Sequence, residues 1–208
     1  MTRRLLILPI FTLVFFGLTS CSSILTGLYG IKKVKVVDEE TIVRYSKKYN
    51  IPIADSYELD TSYLSFLFSL DTLMNKEQIK NHYQPLQALY FDETGQLQSF
   101  QVNCYAGGFP NLKWDKNEIM TTFTPKQQAP VDSILSLEKQ LTFLRHMSKS
   151  ENIETDRYDY IIFVYWNRFM GRQSKRLIRF IQENRKLAED KKVKIIYANT
   201  DNIFATEK

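Results

Sequence analysis

Thiol chemistry is the first reaction class to weigh, because the chain contains two cysteines, Cys21 and Cys104. A cysteine acts as a nucleophile only as an accessible thiolate. Cys104 lies near the end of the strand-like segment 97–105, in which Phe100, Val102 and Cys104 alternate onto one face. This apolar face predicts that Cys104 is a core residue. The alternative is a reactive thiol, as in a single-cysteine oxidoreductase or peroxidase.

The residue types do not support metal binding or nucleic-acid binding. The only histidines are His82 and His146, and neither belongs to a Cys, His and carboxylate cluster at metal-ligand spacing. We therefore expect no metal and no cofactor. The formal charge of +5 falls to +3 without Arg3 and Arg4, which is too balanced to indicate a nucleic-acid-binding protein.

A basic cluster at the start of a predicted helix is the main candidate for ligand binding. Helix 172–190 would direct its first N–H groups and the positive end of its dipole into the preceding loop. Cations crowd that turn although they favour the opposite helix end, and a locally unfavourable pattern often marks a functional site. The predicted ligand is an acidic group, and the alternative is a solvated or internally paired cluster. The cluster contains Arg168 and Arg176, and the predicted site residues are Trp166, Phe169, Gly171, Arg172, Gln173, Ser174 and Lys175.

The elements around this cluster form the clearest unit in the chain. Segments 158–166 and 193–201 are runs of β-branched and aromatic residues, and the predicted helix lies between them. Continuous apolar runs suit strands that are buried on both faces. A helix between two such strands indicates a parallel βαβ crossover.

This unit resembles the central part of the thioredoxin fold, in which a loop carrying W-C-G-P-C-K joins a buried strand to a helix. The matching positions here are Phe169-Met170-Gly171-Arg172-Gln173-Ser174, and the Asn199-Thr200-Asp201 end of the second strand also resembles the family. Both cysteines are replaced, by Met170 and Gln173. Since thiol-disulfide exchange needs a thiolate and a resolving thiol, the resemblance implies a redox-inactive thioredoxin-like domain.

Upstream residues supply the other elements of the predicted core. A cap at Asp38 and a stop at Asn50-Ile51-Pro52 predict one helix, and helical spacing of apolar residues predicts two more. Alternation around a Gly95 turn predicts a hairpin. The last of these helices would be capped by Asp132 or Ser133. The predicted helices are 38–49, 62–82 and 132–147, and the predicted strands are 86–92 and 97–105.

The predicted order is therefore ββα followed by βαβ, which is the reverse of the thioredoxin core. Only seven residues follow Asp201, so the upstream hairpin would have to supply the antiparallel half. Closely spaced termini make such permutations tolerable. The sequence thus predicts an α/β fold with a mixed α+β sheet after N-terminal helices. It leaves open a circularly permuted thioredoxin-like sheet and a generic α+β sandwich.

Segment 106–115 is the most unusual predicted loop. It places Phe109 and Trp114 beside glycine and proline directly after a predicted strand. Loops of this kind on a rigid scaffold often bind ligands. Equally, the two aromatic side chains would close the sheet edge by packing down on it.

The N-terminus resembles a bacterial lipoprotein leader. Arg3 and Arg4 precede a fourteen-residue apolar core, 5–18, and the L-T-S-C junction ends at Cys21. That core is shorter than the roughly 20 residues that span a bilayer. The resemblance implies cleavage before Cys21 and acylation of this cysteine, and the alternatives are an ordinary signal peptide or an uncleaved anchor. In segment 22–35 the lysines either contact acidic lipid headgroups or are solvated on a tether.

We therefore predict a signal peptide at 1–20, a lipidated tether at 21–37 and a single α/β thioredoxin-like domain at 38–208. The expected location is the cell envelope, and Ser22 after the acylated cysteine favours the outer membrane over the inner membrane by resemblance. The expected partners are the membrane, through the lipid anchor at Cys21, and an envelope protein or peptide, without nucleic acid. The predicted function is non-catalytic binding or scaffolding, and the alternative is a thiol enzyme that uses Cys104.

Overall fold

A six-stranded mixed β-sheet with helices on both faces organises the chain. The computed structural model describes residues 30–70, 75–104, 113–147 and 153–206. The strands are β1 (Ser56–Leu59), β2 (Gln87–Asp92), β3 (Leu97–Val102), β4 (Leu144–His146), β5 (Tyr160–Trp166) and β6 (Val193–Asn199). The helices of the described ranges are α1 (Glu39–Lys48), α2 (Ser62–Ser69), α3 (Lys76–His82), α4 (Leu137–Leu141), α5 (Gly171–Arg185) and α6 (Asp201–Thr206).

The strand order is β3-β2-β5-β6-β1-β4. β5 and β6 are parallel, with a register from Tyr160 beside Val193 to Trp166 beside Asn199, and β1 is parallel to the end of β6. β2 is antiparallel to both β5 and β3, and β4 is antiparallel to β1. The predicted parallel βαβ crossover is therefore confirmed, and it occupies the middle of the sheet.

β5 is buried on both faces, as its continuous apolar run predicts. Ile162, Val164 and Trp166 lie in the core that α1 and α5 cover. The alternating residues, including Phe163, lie in the core that α2, α3, α4 and α6 cover. The sheet therefore separates two hydrophobic layers, and side chains of β5 contribute to each layer in turn.

The predicted hairpin and first helix are also confirmed. Gly95 has a φ of +76° in the turn between β2 and β3, a conformation that glycine adopts without strain. The carboxylate of Asp92 accepts the Thr94 N–H at 2.9 Å and stabilises this turn. Asp38 caps α1 by accepting the Thr41 N–H at 2.8 Å, and Asn50 follows the helix with a φ of +59°.

The prediction of one helix over 62–82 is wrong, because this segment contains two helices, α2 and α3. The first helix ends at Ser69, whose hydroxyl donates to the Phe66 carbonyl at 2.7 Å. Leu70 then donates to the Leu67 carbonyl in a tighter turn. Residues 71–74 lie outside the described part of the chain, and α3 begins at Lys76.

The prediction of a helix over 132–147 is wrong as well. Only α4 is helical, and its cap is Ser136, which accepts the Lys139 N–H at 3.2 Å. Asp132 does not cap a helix, because residues 133–135 are not helical. Its carboxylate accepts the Ile134 N–H at 3.2 Å and lies 3.0 Å from His82 Nε2. Residues 144–146 form β4, which extends the sheet beside β1. Backbone pairing with a strand that is distant in sequence has overridden the local helical spacing.

Candidate functional site

The candidate site lies where the parallel strands β5, β6 and β1 end. Their carboxyl ends share one edge of the sheet, which we call the carboxyl edge, because all three strands run in the same direction. Loop 167–170 leaves β5 there and leads into α5, and Thr200 leaves β6 there and leads into α6. In open α/β sheets, ligands commonly bind in crevices at this edge.

Loop 167–170 is held by a closed set of hydrogen bonds at Asn167 and Ser174. The side-chain oxygen of Asn167 accepts the Met170 N–H at 2.7 Å. Ser174 Oγ accepts the Asn167 N–H at 3.1 Å and donates to the Asn167 carbonyl at 2.7 Å. Asn167 and Ser174 are both completely buried. The loop is therefore preorganised by polar groups that are themselves satisfied.

The same network joins the βαβ unit to the segment before β2. Asn167 Nδ2 donates to the Pro85 carbonyl at 3.0 Å, and Thr200 Oγ1 donates to the same carbonyl at 3.2 Å. Thr200 N–H donates to the Trp166 carbonyl at 2.8 Å. Pro85 is 82 residues before Asn167, so these bonds fix distant parts of the chain at one point of the carboxyl edge.

A buried charge pair lies behind the loop. Asp201 is 1% exposed and accepts the Arg168 N–H at 2.7 Å and the Asn199 side-chain amide at 3.0 Å. Its other oxygen lies 3.7 Å from Arg168 Nε. Burial raises the pKa of Asp201, although these hydrogen bonds and the Arg168 charge oppose the shift. Desolvation therefore outweighs the favourable partners at this carboxylate.

Residues 30–37 run across the loop, and we call this segment the strap. Lys32 N–H donates to the Phe169 carbonyl at 2.7 Å, and Arg168 Nη2 donates to the Lys33 carbonyl at 2.9 Å. At its end, Val37 donates to Asn202 Oδ1 at 2.8 Å and accepts from Asn202 Nδ2 at 3.0 Å. The predicted tether residues of this segment are thus bound to the carboxyl edge.

The first turn of α5 contains both buried and exposed members of the predicted site. Gly171, Gln173 and Ser174 are buried, whereas Arg172 and Lys175 are exposed. An ideal Cβ on Gly171 would lie 2.5 Å from Tyr49 Oη, so the absence of a side chain lets α1 approach α5. Gln173 Oε1 has no hydrogen-bond donor among the described residues.

The two predicted aromatic residues of the site lie inside the fold. Trp166 is completely buried and contacts Tyr49 edge to face, with ring centroids 5.6 Å apart. Phe169 is 6% exposed and contacts Phe204 of α6. Both side chains support the loop from below, and in this conformation the surface of the site is formed by the basic residues of α5.

Cys104 is half-buried, which corrects the prediction that it lies in the core. Val102, the last residue of β3, is 1% exposed, but Cys104 lies two residues beyond the end of this edge strand. The alternation of the strand therefore no longer determines burial at Cys104. Because Val102 pairs with Gln87, and Gln87 pairs with Tyr165 near the end of β5, Cys104 lies at the carboxyl edge.

The other sequence predictions concern loop 106–115 and the lipidation site. Trp114 is 1% exposed and packs in the core with Met120. Phe109 and Cys21 lie outside the described residues, so the binding role of loop 106–115 and the lipidation site stay predictions.

In the described ranges, no three His, Cys, Asp or Glu side chains are grouped to hold a metal. The helices within those ranges include none with the length and apolar character needed to cross a bilayer.

Sequence reasoning missed the polar network around Asn167 and Asp201, together with the His82 and Asp132 pair. His82 is completely buried, and its ring lies against Phe100 at a centroid distance of 4.8 Å. The Asn199-Thr200-Asp201 end of β6 was the one signal available, since polar residues after a buried strand need partners. Those partners, Pro85 and Arg168, are distant in sequence and carry no local pattern.

No family model, curated protein or solved structure matches this chain. The residues at the carboxyl edge therefore provide the evidence for function.

Proposed function

We propose that this protein is a membrane-anchored envelope lipoprotein whose domain binds an acidic segment of a protein or peptide without catalysing a reaction. Cys21 is the lipidated residue in this proposal, on the strength of the leader and the L-T-S-C junction. The proposed location is the periplasmic side of the outer membrane. Loop 167–170 and the first turn of α5 form the recognition surface.

A circularly permuted thioredoxin-like sheet is part of the proposal, and the strand order supports it. The β2–β3 hairpin precedes the βαβ unit in the chain, yet it lies antiparallel beside β5, the first strand of that unit. In the thioredoxin core the antiparallel half follows the βαβ half. A permutation would produce the order seen here, with the parallel strands in the middle of the sheet.

The observation that carries the non-catalytic function is the chemistry at the β5–α5 junction. Met170 and Gln173 occupy the positions that correspond to the two redox cysteines, and neither side chain can form a thiolate. The surrounding network of Asn167, Ser174 and Thr200 still holds the junction rigidly. A preorganised junction without a nucleophile suits binding better than group transfer.

The charges of α5 favour an acidic ligand. Arg172, Lys175 and Arg176 are exposed on the first two turns, and the first turn of α5 has no acidic residue. The N–H groups of Gln173 and Ser174 already donate to the Met170 carbonyl at 2.9 Å, so the helix dipole supplies the added positive potential at the same point. Gln173 Oε1 is a buried acceptor that the described residues leave without a donor. An acidic peptide offers carboxylates for the exposed cations.

Charge reversal tests this assignment. We expect Arg172→Glu with Lys175→Glu to reduce capture of the partner from cross-linked envelopes by roughly tenfold or more, since each exposed ion pair contributes up to about 1 kcal/mol. The melting temperature should change little, because both side chains are exposed. The matched control is Lys186→Glu with Lys191→Glu, which changes the same charge at exposed positions far from the junction. Equal capture by the two double variants would contradict the proposed site.

A thiol enzyme that uses Cys104 is the second candidate, and the partial exposure of this residue at the carboxyl edge favours it. Labelling of the native protein near neutral pH distinguishes the two functions. Under the binding proposal, Cys104 reacts no faster than a free model thiol. Rapid labelling, together with a peroxidase or reductase activity that Cys104→Ser abolishes, would replace the binding proposal with the enzymatic one.

A further inference from the structure

The strap exposes several large aliphatic side chains. Ile31 and Val34 are each 38% exposed, and Val36 is 62% exposed. These are three of the six large exposed hydrophobic side chains in the described ranges, and they fall within six residues. Clustered exposed aliphatic residues mark interaction surfaces more often than isolated ones do.

Lysines alternate with these aliphatic residues. Lys32, Lys33 and Lys35 are exposed along the strap. The Lys32 ammonium group donates to Tyr45 Oη at 3.2 Å and lies 5.3 Å from the centre of the Tyr45 ring. The combination of aliphatic and basic side chains on one exposed segment is the composition that binds anionic lipid surfaces.

The last turns of α1 extend this positive surface. The guanidinium group of Arg44 and the ammonium group of Lys48 lie 6.0 Å and 5.6 Å from the centre of the Tyr45 ring. The Lys32 hydrogen bond and the nearby cations lower the pKa of Tyr45, in keeping with a positive local potential. The acidic residues of α1 lie in its first turn, away from Lys48.

We infer that the strap and the last turns of α1 dock on an anionic lipid bilayer, with Ile31, Val34 and Val36 in the interface and the lysines at the headgroups. This inference rests on the proposed lipid anchor at Cys21. Eight residues separate Cys21 from Gly30, so the strap lies within about 30 Å of the acylated residue even when the chain is fully extended. The anchor therefore keeps the strap at a high local concentration near the surface.

Docking through the strap orients the whole domain. The strap is hydrogen-bonded to Phe169 and Arg168 in the loop of the candidate site, and Val37 is buried. The carboxyl edge therefore faces the membrane when the strap is docked. A partner must then bind the candidate site at the lipid surface, because the carboxyl edge does not face away from the membrane.

Limited proteolysis of the reconstituted lipoprotein tests this orientation without altering the chain. Trypsin cleaves after the strap lysines and after Lys191 and Lys192, which are exposed near the start of β6. In vesicles with about one third phosphatidylglycerol, we expect strap cleavage to be about tenfold slower than in phosphatidylcholine vesicles. Cleavage after Lys191 and Lys192 should be equal in both. Raising sodium chloride to about 0.5 M should remove most of the difference, because salt screens the headgroup charge.

A variant that keeps every trypsin site separates docking from general effects of the vesicles. Val34→Asp with Val36→Asp should lose the protection, whereas Leu187→Asp, at a side chain that is 45% exposed elsewhere, should retain it. Equal strap cleavage in both vesicle types overturns the inference. Protection that occurs in native envelopes but not in protein-free anionic vesicles also overturns it and assigns the surface to a protein. Failure of the lipid anchor gives a different result, because the protein would then not float with phosphatidylcholine vesicles, to which only the anchor holds it.

Discussion

The packing of α1 against α5 at Gly171 leads to a quantitative prediction. An ideal Cβ at this position would lie 2.5 Å from Tyr49 Oη, while the next nearest atom, Tyr49 Cζ, would be 3.7 Å away. Tyr49 is 5% exposed and is held between Tyr45 and Trp166 by edge-to-face contacts. The hydroxyl therefore has little room to move. We expect Gly171→Ala to lower the free energy of unfolding by about 1–3 kcal/mol, as overpacking of a buried contact does.

Removing the hydroxyl should remove the collision. In a protein that carries Tyr49→Phe, the nearest ring atom is at ordinary van der Waals distance from the new methyl group. Gly171→Ala should then be neutral or stabilise the protein by up to about 1 kcal/mol, because alanine loses less backbone entropy than glycine in a helix. The coupling energy between the two substitutions is therefore expected to be about 1–3 kcal/mol.

Urea unfolding of the four proteins of this double-mutant cycle measures the coupling, and a melting-temperature shift of about 2–4 °C per kcal/mol provides a second readout. Tyr45→Phe is the matched control, because the hydroxyl that it removes binds Lys32 and does not contact Gly171. If Gly171→Ala has the same cost with and without Tyr49→Phe, the contact with Tyr49 does not explain the glycine, and our account of this packing is wrong.

Three further predictions follow from single residues. Cys21→Ala should abolish metabolic labelling with palmitate, and undiminished labelling would exclude Cys21 as the acylated residue. Burial raises the pKa of Asp201, so the folded state holds the carboxyl proton more tightly than the unfolded state does. The free energy of unfolding, measured with urea, should therefore fall as the pH rises from 3.8 through the raised pKa. Asp201→Asn should lack this decline, and the same pH dependence in both proteins would refute the prediction. Asp132→Ala should cost about 2 kcal/mol because it removes the partner of buried His82, whereas an unchanged urea midpoint would show that the pair contributes nothing.

The amino-acid sequence by itself determined the elements whose burial is local and continuous. The apolar runs of β5 and β6 favoured strands that are buried on both faces, and the helix between them indicated a parallel crossover. The cap at Asp38 and the glycine turn at Gly95 were also predictable, because each depends on residues no more than a few positions apart. In these cases propensity, periodicity and turn chemistry all agree.

Only the tertiary structure decided the short strands, the helix ends and the polar network of the carboxyl edge. β1 and β4 have four and three residues, too few for an alternation pattern to be recognised. β1 forms because β6 offers it a backbone partner, and β4 forms because β1 does. Arg168 binds the carbonyl of Lys33, which is 135 residues away in sequence. No local pattern encodes such a pairing, because hydrogen-bond partners across the fold are set by the packing of whole elements.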